Sequence, residues 1–273
     1  SSTNSFCFSG NVKYQNVVFF KNDTSNVDIK YQQDFPTNGD PYCTGEAINR
    51  RNVPYSINSI PRMEVNGGFD DITANFNETV YQNALNTPAA YELTGEYSVD
   101  TITKTSNDIK IKYKPLLDMA PTFTKLFVAI VETSTKNNAK TNGETTFYNV
   151  LKKMVPNSNG VTITTLTANT LDSLVTSYTF NGTYRLPIDG QPANRIDHTI
   201  EHSVENFNNL KVIAWVQNTS TRQVFQAANL VKLIKSIKLD SANGGEIWSV
   251  GYTKKIKWTS KNVNDVKIEY TTN

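Results

Sequence analysis

The chain has 273 residues, of which 38% are hydrophobic, so it carries enough apolar surface for the cores of two or more domains. Its net charge of +2, spread evenly along the chain, excludes a nucleic-acid partner, which needs a dense cluster of cations. The sequence contains no run of about 18 apolar residues, so no segment is expected to span a membrane.

The first 87 residues combine strand and helix signals. A strand-like run at 27–31 is followed by a turn-rich loop at 37–41, and Thr44 is a candidate N-cap for a short helix. A second strand is expected after the Ile60–Pro61 bond, ending in a turn near residue 67, and residues 76–85 favour a helix. This order predicts an α/β unit over residues 1–87.

Residues 88–235 have the period-two alternation of β-strands. The run at 125–131 is almost continuously apolar, which is typical of a central strand buried on both faces. Residues 146–154 are the exception, because their pattern favours a short helix or an irregular crossover. Many short strands with turn residues between them predict a sandwich or jelly roll. The expected strands are 109–114, 125–131, 161–164, 175–180, 211–217 and 222–228.

A third unit is expected over residues 236–273. A turn at 243–246 is followed by three alternating segments at 247–248, 255–258 and 266–270. Three strands cannot close a sandwich, so this unit is expected to be part of a larger β domain. The sequence also begins without a signal peptide, which indicates a processed chain or missing upstream sequence.

A possible metal motif occurs at His198, Glu201 and His202, whose H-x-x-E-H spacing is that of inverzincin zinc proteases. That chemistry needs both histidines on one helix face. The segment fits a strand as well as a helix and lies in a β-rich region, so we predict neither a metal site nor a cofactor.

The turn around Cys7 resembles the active-site turn of thioredoxin-like proteins, in which two cysteines separated by two residues sit at a helix N-terminus. Cys7 matches the first cysteine, but Gly10 occupies the place of the second, so the motif is degenerate. Pro61 matches the cis-proline of that family. The family's first strand should precede Cys7, but only six residues do, so this domain is expected to lack that strand.

The thioredoxin-like resemblance implies that Cys43 follows a strand whose carboxyl end lies near Cys7. A structural Cys7–Cys43 disulfide is therefore one interpretation, and two unpaired thiols or a functional redox pair are the others. A disulfide closing this loop would contribute about 2–4 kcal/mol to stability.

Taken together, the segments resemble the Bacteroidetes outer membrane protein twenty-eight family. Its thioredoxin-like half is similar to residues 27–36, 40–42 and 55–67, and its closing β-hairpin is similar to residues 201–228. Residues 243–270 resemble an Ig-like repeat of secreted proteins from the same bacteria. The resemblance implies an α+β multidomain protein with a thioredoxin-like domain (1–87), a β-sandwich domain (88–235) and a partial Ig-like domain (236–273). It also implies export to the outer-membrane surface or beyond.

The leading hypothesis is a non-enzymatic, surface-exposed structural or adhesive module, with other surface proteins or glycans as partners. One alternative is an extracytoplasmic thiol–disulfide protein using Cys7, with Cys43 as resolving partner. Another is a metallohydrolase at His198 and His202. A third is a subunit of a surface assembly or filament in which a neighbour supplies the missing strand.

Overall fold

The computed structural model describes residues 1–18, 26–101, 103–120, 123–263 and 265–269. The chain divides into two compact units, Ser1–Val231 and Lys232–Asn273. Strands dominate both units, which confirms the β-rich multidomain character that the sequence predicts. None of the described helices has the length and hydropathy that crossing a bilayer requires.

The N-terminal part of the first unit holds three α-helices among the described residues, and a short hairpin. These elements are α1 (Ser5–Val17), α2 (Gly45–Asn52), β1 (Met63–Val65), β2 (Phe69–Asp71), a 3-10 helix (Thr73–Asn75) and α3 (Glu78–Leu85). The hydroxyl of Thr44 accepts from the Ala47 amide and caps α2, which confirms the predicted helix start. Helix α3 begins after Asn77, whose side chain accepts from the Val80 amide.

The remaining strands of the first unit form two sheets and one short parallel pair. They are β3 (Tyr91–Asp100), β4 (Thr105–Pro115), β5 (Thr124–Thr135), β6 (Phe147–Val155), β7 (Val161–Thr162), β8 (Asp172–Thr179), β9 (Thr183–Tyr184), β10 (Glu201–His202), β11 (Leu210–Asn218), β12 (Val224–Asn229) and β13 (Val231–Lys232), with a 3-10 helix at Phe207–Asn209 before β11. One sheet has the order β12-β11-β5-β6, with β7 also paired to β5. The other has the order β13-β3-β4-β8, and β9 pairs with β10.

The two sheets pack face to face around one apolar core. Tyr91 and Ile109 of the four-stranded sheet meet Val128 and Val212 of the five-stranded sheet in this core. Strand β5 also turns Phe127 and its alternate neighbours to the opposite face, so it is buried on both sides. The prediction of a central strand at 125–131 is therefore confirmed.

The outer face of the five-stranded sheet is covered by the N-terminal part of the chain. Ala47 of α2 lies in the second core, and residues 27–31 pack against it. The sequence predicts a strand at 27–31, but these residues do not form one. Lys30 makes only an isolated parallel bridge to Val150. A separate small core around Phe76 gathers residues of α1, the β1–β2 hairpin and α3.

The prediction of a helix or crossover at 146–154 is wrong, because these residues form β6. The apolar spacing is irregular since β6 contains a β-bulge: Ile130 pairs with Lys153 and Val131 with Leu151, which leaves Lys152 as the extra residue. The bulge turns Lys152 into the interior, where its side chain is buried.

The second unit contains one antiparallel pair, β14 (Ser236–Ser241) and β15 (Lys257–Lys261). Only the expected segment 255–258 overlaps a strand. Residues 247–248 and the described part of 266–270 are not strands, because neither segment finds a neighbouring strand to pair with among the described residues. The Ig-like nature of this unit and the division at residue 87 stay predictions.

Candidate functional site

The turn around Cys7, which the sequence likens to the thioredoxin-like active-site turn, lies at the start of α1. The Asn4 side chain accepts from the Cys7 amide and caps the helix, and the Cys7 thiol is buried. The Ile60–Pro61 peptide bond is cis, which is the conformation that the resemblance implies. Gly10, at the place of the resolving cysteine, is in close contact with Thr73, and a Cβ added at Gly10 would lie 2.8 Å from the Thr73 Cβ. A second thiol at this position therefore has no room.

The two cysteines are both free thiols, so the structural disulfide that the sequence suggested is not formed. They lie on separate elements, Cys7 in the first turn of α1 and Cys43 just before α2, in the position that precedes the Thr44 cap. Burial raises the pKa of Cys43 to about 12, because a thiolate there would lose its hydration. Cys43 is thus protonated at neutral pH and is a poor nucleophile.

The H-x-x-E-H residues do not converge on a common point. The Glu201 carboxylate accepts two hydrogen bonds of 2.6 Å from the guanidinium of Arg185. His198 Nε2 lies 3.9 Å from a carboxylate oxygen of Glu46, not of Glu201. Within the described ranges, no group of three His, Cys, Asp or Glu side chains is placed to hold a metal ion.

His202 is buried in an aromatic pocket. Its ring centroid lies 5.2 Å from that of Phe207, 6.3 Å from that of Phe180 and 6.4 Å from that of Tyr184. Burial, together with the positive charges of Lys104 and Lys152, lowers the pKa of His202 to about 4. His202 is therefore neutral at physiological pH and serves as a packing residue.

A buried ion pair that the sequence did not predict joins β5 to β6. The ammonium group of Lys152, placed inward by the bulge, lies 3.2 Å from a carboxylate oxygen of Glu132, and both side chains are almost wholly buried. Lys152 also donates to the Ser203 carbonyl at 2.7 Å, and its Nζ lies 3.5 Å from the centre of the Tyr42 ring. Glu132 accepts in addition from the amides of Glu205 and Asn206. The pair holds the loop before β11 and the loop around Tyr42 against the sheet.

Arg50 is a second buried cation that sequence reasoning missed. Its side chain is 1% exposed, and its guanidinium carbon lies 4.3 Å from the centre of the Phe127 ring and 5.6 Å from that of Trp215. The same group donates to Gln217 Oε1 at 2.6 Å and to the Tyr55 hydroxyl at 2.8 Å. Arg50 thus fastens α2 to the outer face of the five-stranded sheet.

A small cavity lies next to Arg62 and Asp70. It is lined by residues 55–59 with Arg62 and Asp70, and its volume is about 70 Å³. Cavities that hold organic ligands are several times larger, commonly about 300–1,000 Å³. This cavity has room for a few water molecules only.

Comparisons with known proteins give low similarities. No family model matches the chain, and no curated protein matches it. Among solved structures, HBP35 of Porphyromonas gingivalis is 10% identical with a TM-score of 0.39, over 68% of this chain and 55% of that one. A domain of the outer membrane lipoprotein Omp28 from Porphyromonas gingivalis is 15% identical with a TM-score of 0.32, over 53% of this chain and 90% of that one.

A third similar structure is a β-glucosidase from Listeria innocua, 14% identical with a TM-score of 0.25, over 52% of this chain and 16% of that one. The chain thus spans about half the length of HBP35. All three TM-scores are too low to carry an argument about fold or function. The resemblance of the sequence to the outer membrane protein twenty-eight family stays a prediction.

Proposed function

We propose that this chain is an exported, non-enzymatic structural or binding protein of the cell surface. The proposal rests on the contrast between the two outer faces of its sandwich. The five-stranded sheet is covered by the N-terminal part of the chain, which Arg50 and the Lys152–Glu132 pair fasten in place. The four-stranded sheet leaves its outer face open to solvent over β3, β4 and β8.

The open face is mostly polar. Lys112 on β4 is exposed at its centre and has Thr94 and Ser173 as its direct cross-strand neighbours. Lys110 has Glu96 and Val175 on its two sides. An amine between hydroxyl groups suits the carboxylates and hydroxyls of glycans and protein loops, so this face is the proposed contact surface for other surface proteins or glycans.

The burial of the reactive side chains supports a non-enzymatic role. Both thiols are buried, Glu201 is held by Arg185, and His202 is packed among aromatic rings. The same facts favour neither the thiol–disulfide alternative nor the metallohydrolase alternative. The resemblance to exported proteins supports the proposed location.

Labelling of intact cells with a membrane-impermeant amine reagent tests the proposal. We expect mass spectrometry to find label on Lys112 and on Lys238, which is exposed in the second unit, but none on the buried Lys152. Label that appears on Lys112 and Lys238 only after lysis would contradict the surface location.

The same experiment tests the contact surface. If a partner covers the four-stranded sheet on cells, the ratio of Lys112 to Lys238 labelling is lower on cells than in the purified chain. An equal ratio in both samples would contradict the proposed use of this face.

A further inference from the structure

The edge strand β8 is unusual among the sheet edges of the first unit. It has eight residues, and the seven residues 173–179 contain no charge, proline or glycine. Proteins ordinarily protect such an edge with charges, prolines, bulges or a covering segment, because its free amides and carbonyls can pair with another strand. An unprotected edge of this kind is a candidate for strand pairing.

The other edges are protected. Strand β6 is bridged at Val150 by Lys30, whose amide donates to the Asn149 carbonyl and whose carbonyl accepts from Leu151. In strand β12, the Val224 amide donates to the Asn66 carbonyl and the Phe225 carbonyl accepts from the Ala90 amide. Strand β13 has only two residues.

On its free side, β8 has no backbone partner within the described ranges. The only amide of β8 that is bonded outside the β4 ladder is that of Ser173, which donates to the carboxylate of the adjacent Asp172. That bond marks one end of the open edge. The pairing of β4 with β8 contains one register shift, and the extra residue belongs to β4, between Ser106 and Ile109. Strand β8 itself is therefore regular.

The exposed side chains of β8 would fit against those of a second β8 strand related to it by a two-fold axis. Val175 is 68% exposed, and Ser173, Ser177 and Thr179 point to the same open face. Antiparallel pairing about Val175 places Val175 opposite its own copy and Ser173 opposite Ser177 of that copy. This arrangement brings no like charges together along the strand, and it removes an exposed valine from water.

We propose that two copies of this chain associate by antiparallel pairing of β8 with β8, with the two-fold axis at Val175. The four-stranded sheets of the two copies then join into one continuous sheet. The arrangement is isologous, so it closes as a dimer. The inference does not depend on the proposed location or on what the open face binds, although Ser173 and Val175 of β8 lie beside Lys112 and Lys110 on that face.

Light scattering during size-exclusion chromatography of the full chain, over a series of concentrations, tests this proposal. We expect the native chain to be a dimer and Val175→Lys to be a monomer, with a dissociation constant raised about tenfold or more, because two lysines would face each other. Leu117→Lys is the matched control: Leu117 is similarly exposed at 66% but lies outside the strands, so this variant should remain a dimer.

Cysteine cross-linking fixes the register and needs no change of charge. Val175→Cys should form a disulfide-linked dimer under mild oxidation. Ser173→Cys should not, because position 173 of one copy and position 173 of the other lie about four residues apart along the paired strands. A monomeric native chain, a dimer that Val175→Lys leaves intact, or equal cross-linking of the two cysteine variants would each overturn the proposal. Val175→Lys that fails to fold leaves the cross-linking result to decide.

Discussion

Gly10 and Thr73 are in contact at the point where α1 crosses the 3-10 helix at Thr73–Asn75. A Cβ at Gly10 would stand 2.8 Å from the Thr73 Cβ, closer than non-bonded carbon atoms approach. The contact leaves no room at position 10 of the helix that carries Cys7 for any side chain larger than that of glycine. Gly10 is therefore the residue that allows α1 to pack against the 3-10 helix.

Gly10→Ala should destabilise the first unit by about 1–3 kcal/mol, because the added methyl group meets a Cβ that is fixed to the backbone. Gly45→Ala is the control, since a Cβ at Gly45, in the first turn of α2, meets no atom within 4 Å. That change should be neutral or stabilise by less than about 1 kcal/mol. Urea unfolding followed by circular dichroism measures both. Equal stability of the two variants would mean that the contact with Thr73 is not made.

Arg50→Lys should cost about 2–4 kcal/mol of unfolding free energy, because lysine keeps the buried charge but loses the planar stacking on Phe127 and the bond geometry to Gln217. Arg50→Met should cost less than Arg50→Lys, since it removes a charge buried among aromatic rings. Arg51→Lys is the matched control on a more exposed position beside Asp34, where a change below about 1 kcal/mol is expected. An Arg50→Lys variant as stable as the native chain would contradict the role of Arg50 in fastening α2 to the sheet.

Removing one member of the Lys152–Glu132 pair should destabilise strongly. Lys152→Met or Glu132→Gln alone is expected to cost about 3–5 kcal/mol, because each leaves the other group buried without its partner. The double variant should cost clearly less than the sum of the two single changes. A double-mutant cycle in urea measures the coupling, and additive effects would show that the two groups do not interact.

The neutral state of His202 gives stability a defined pH dependence. Its pKa is about 4 in the folded chain and about 6.5 when unfolded, so the unfolded state binds the extra proton first as pH falls. The contribution of His202 is therefore complete above pH 6.5 and is lost as pH falls towards 4.

His202→Phe keeps an aromatic ring in the pocket and removes this titration. The free energy of unfolding of the native chain should therefore fall relative to that of the variant between pH 6.5 and pH 4. Urea titrations at intermediate pH values measure the difference. A constant difference across this range would contradict the burial of a neutral His202.

Much of the sandwich could be predicted from the sequence because its strands keep a regular alternation. Strand β5 is apolar on both faces and was identified as central for that reason. Strand β6 could not be identified, because the bulge at Lys152 shifts the alternation within the strand. A bulge is selected by contacts distant in sequence, here with Glu132, and leaves no local pattern.

The candidate site was harder to predict than the sheets. Arg50 and Arg51 are adjacent in α2, yet only Arg50 is buried against the sheet. The H-x-x-E-H spacing was visible, but the partners of its members, Glu46 and Arg185, come from other parts of the chain. The run at 27–31 alternates like a strand because Val27, Ile29 and Tyr31 pack on the second core, but only Lys30 forms a β-bridge to the neighbouring strand β6.

The central claim is that the reactive side chains of this protein, Cys7 first among them, serve the fold. The most direct test is titration of the thiols in the folded and the unfolded chain without reductant, together with an insulin-reduction assay. We expect slow reaction of both cysteines in the folded chain, two rapidly reacting thiols after unfolding, and no insulin reduction. A Cys7 thiol that reacts rapidly in the folded chain and supports insulin reduction, with both properties lost in Cys7→Ser, would contradict the claim.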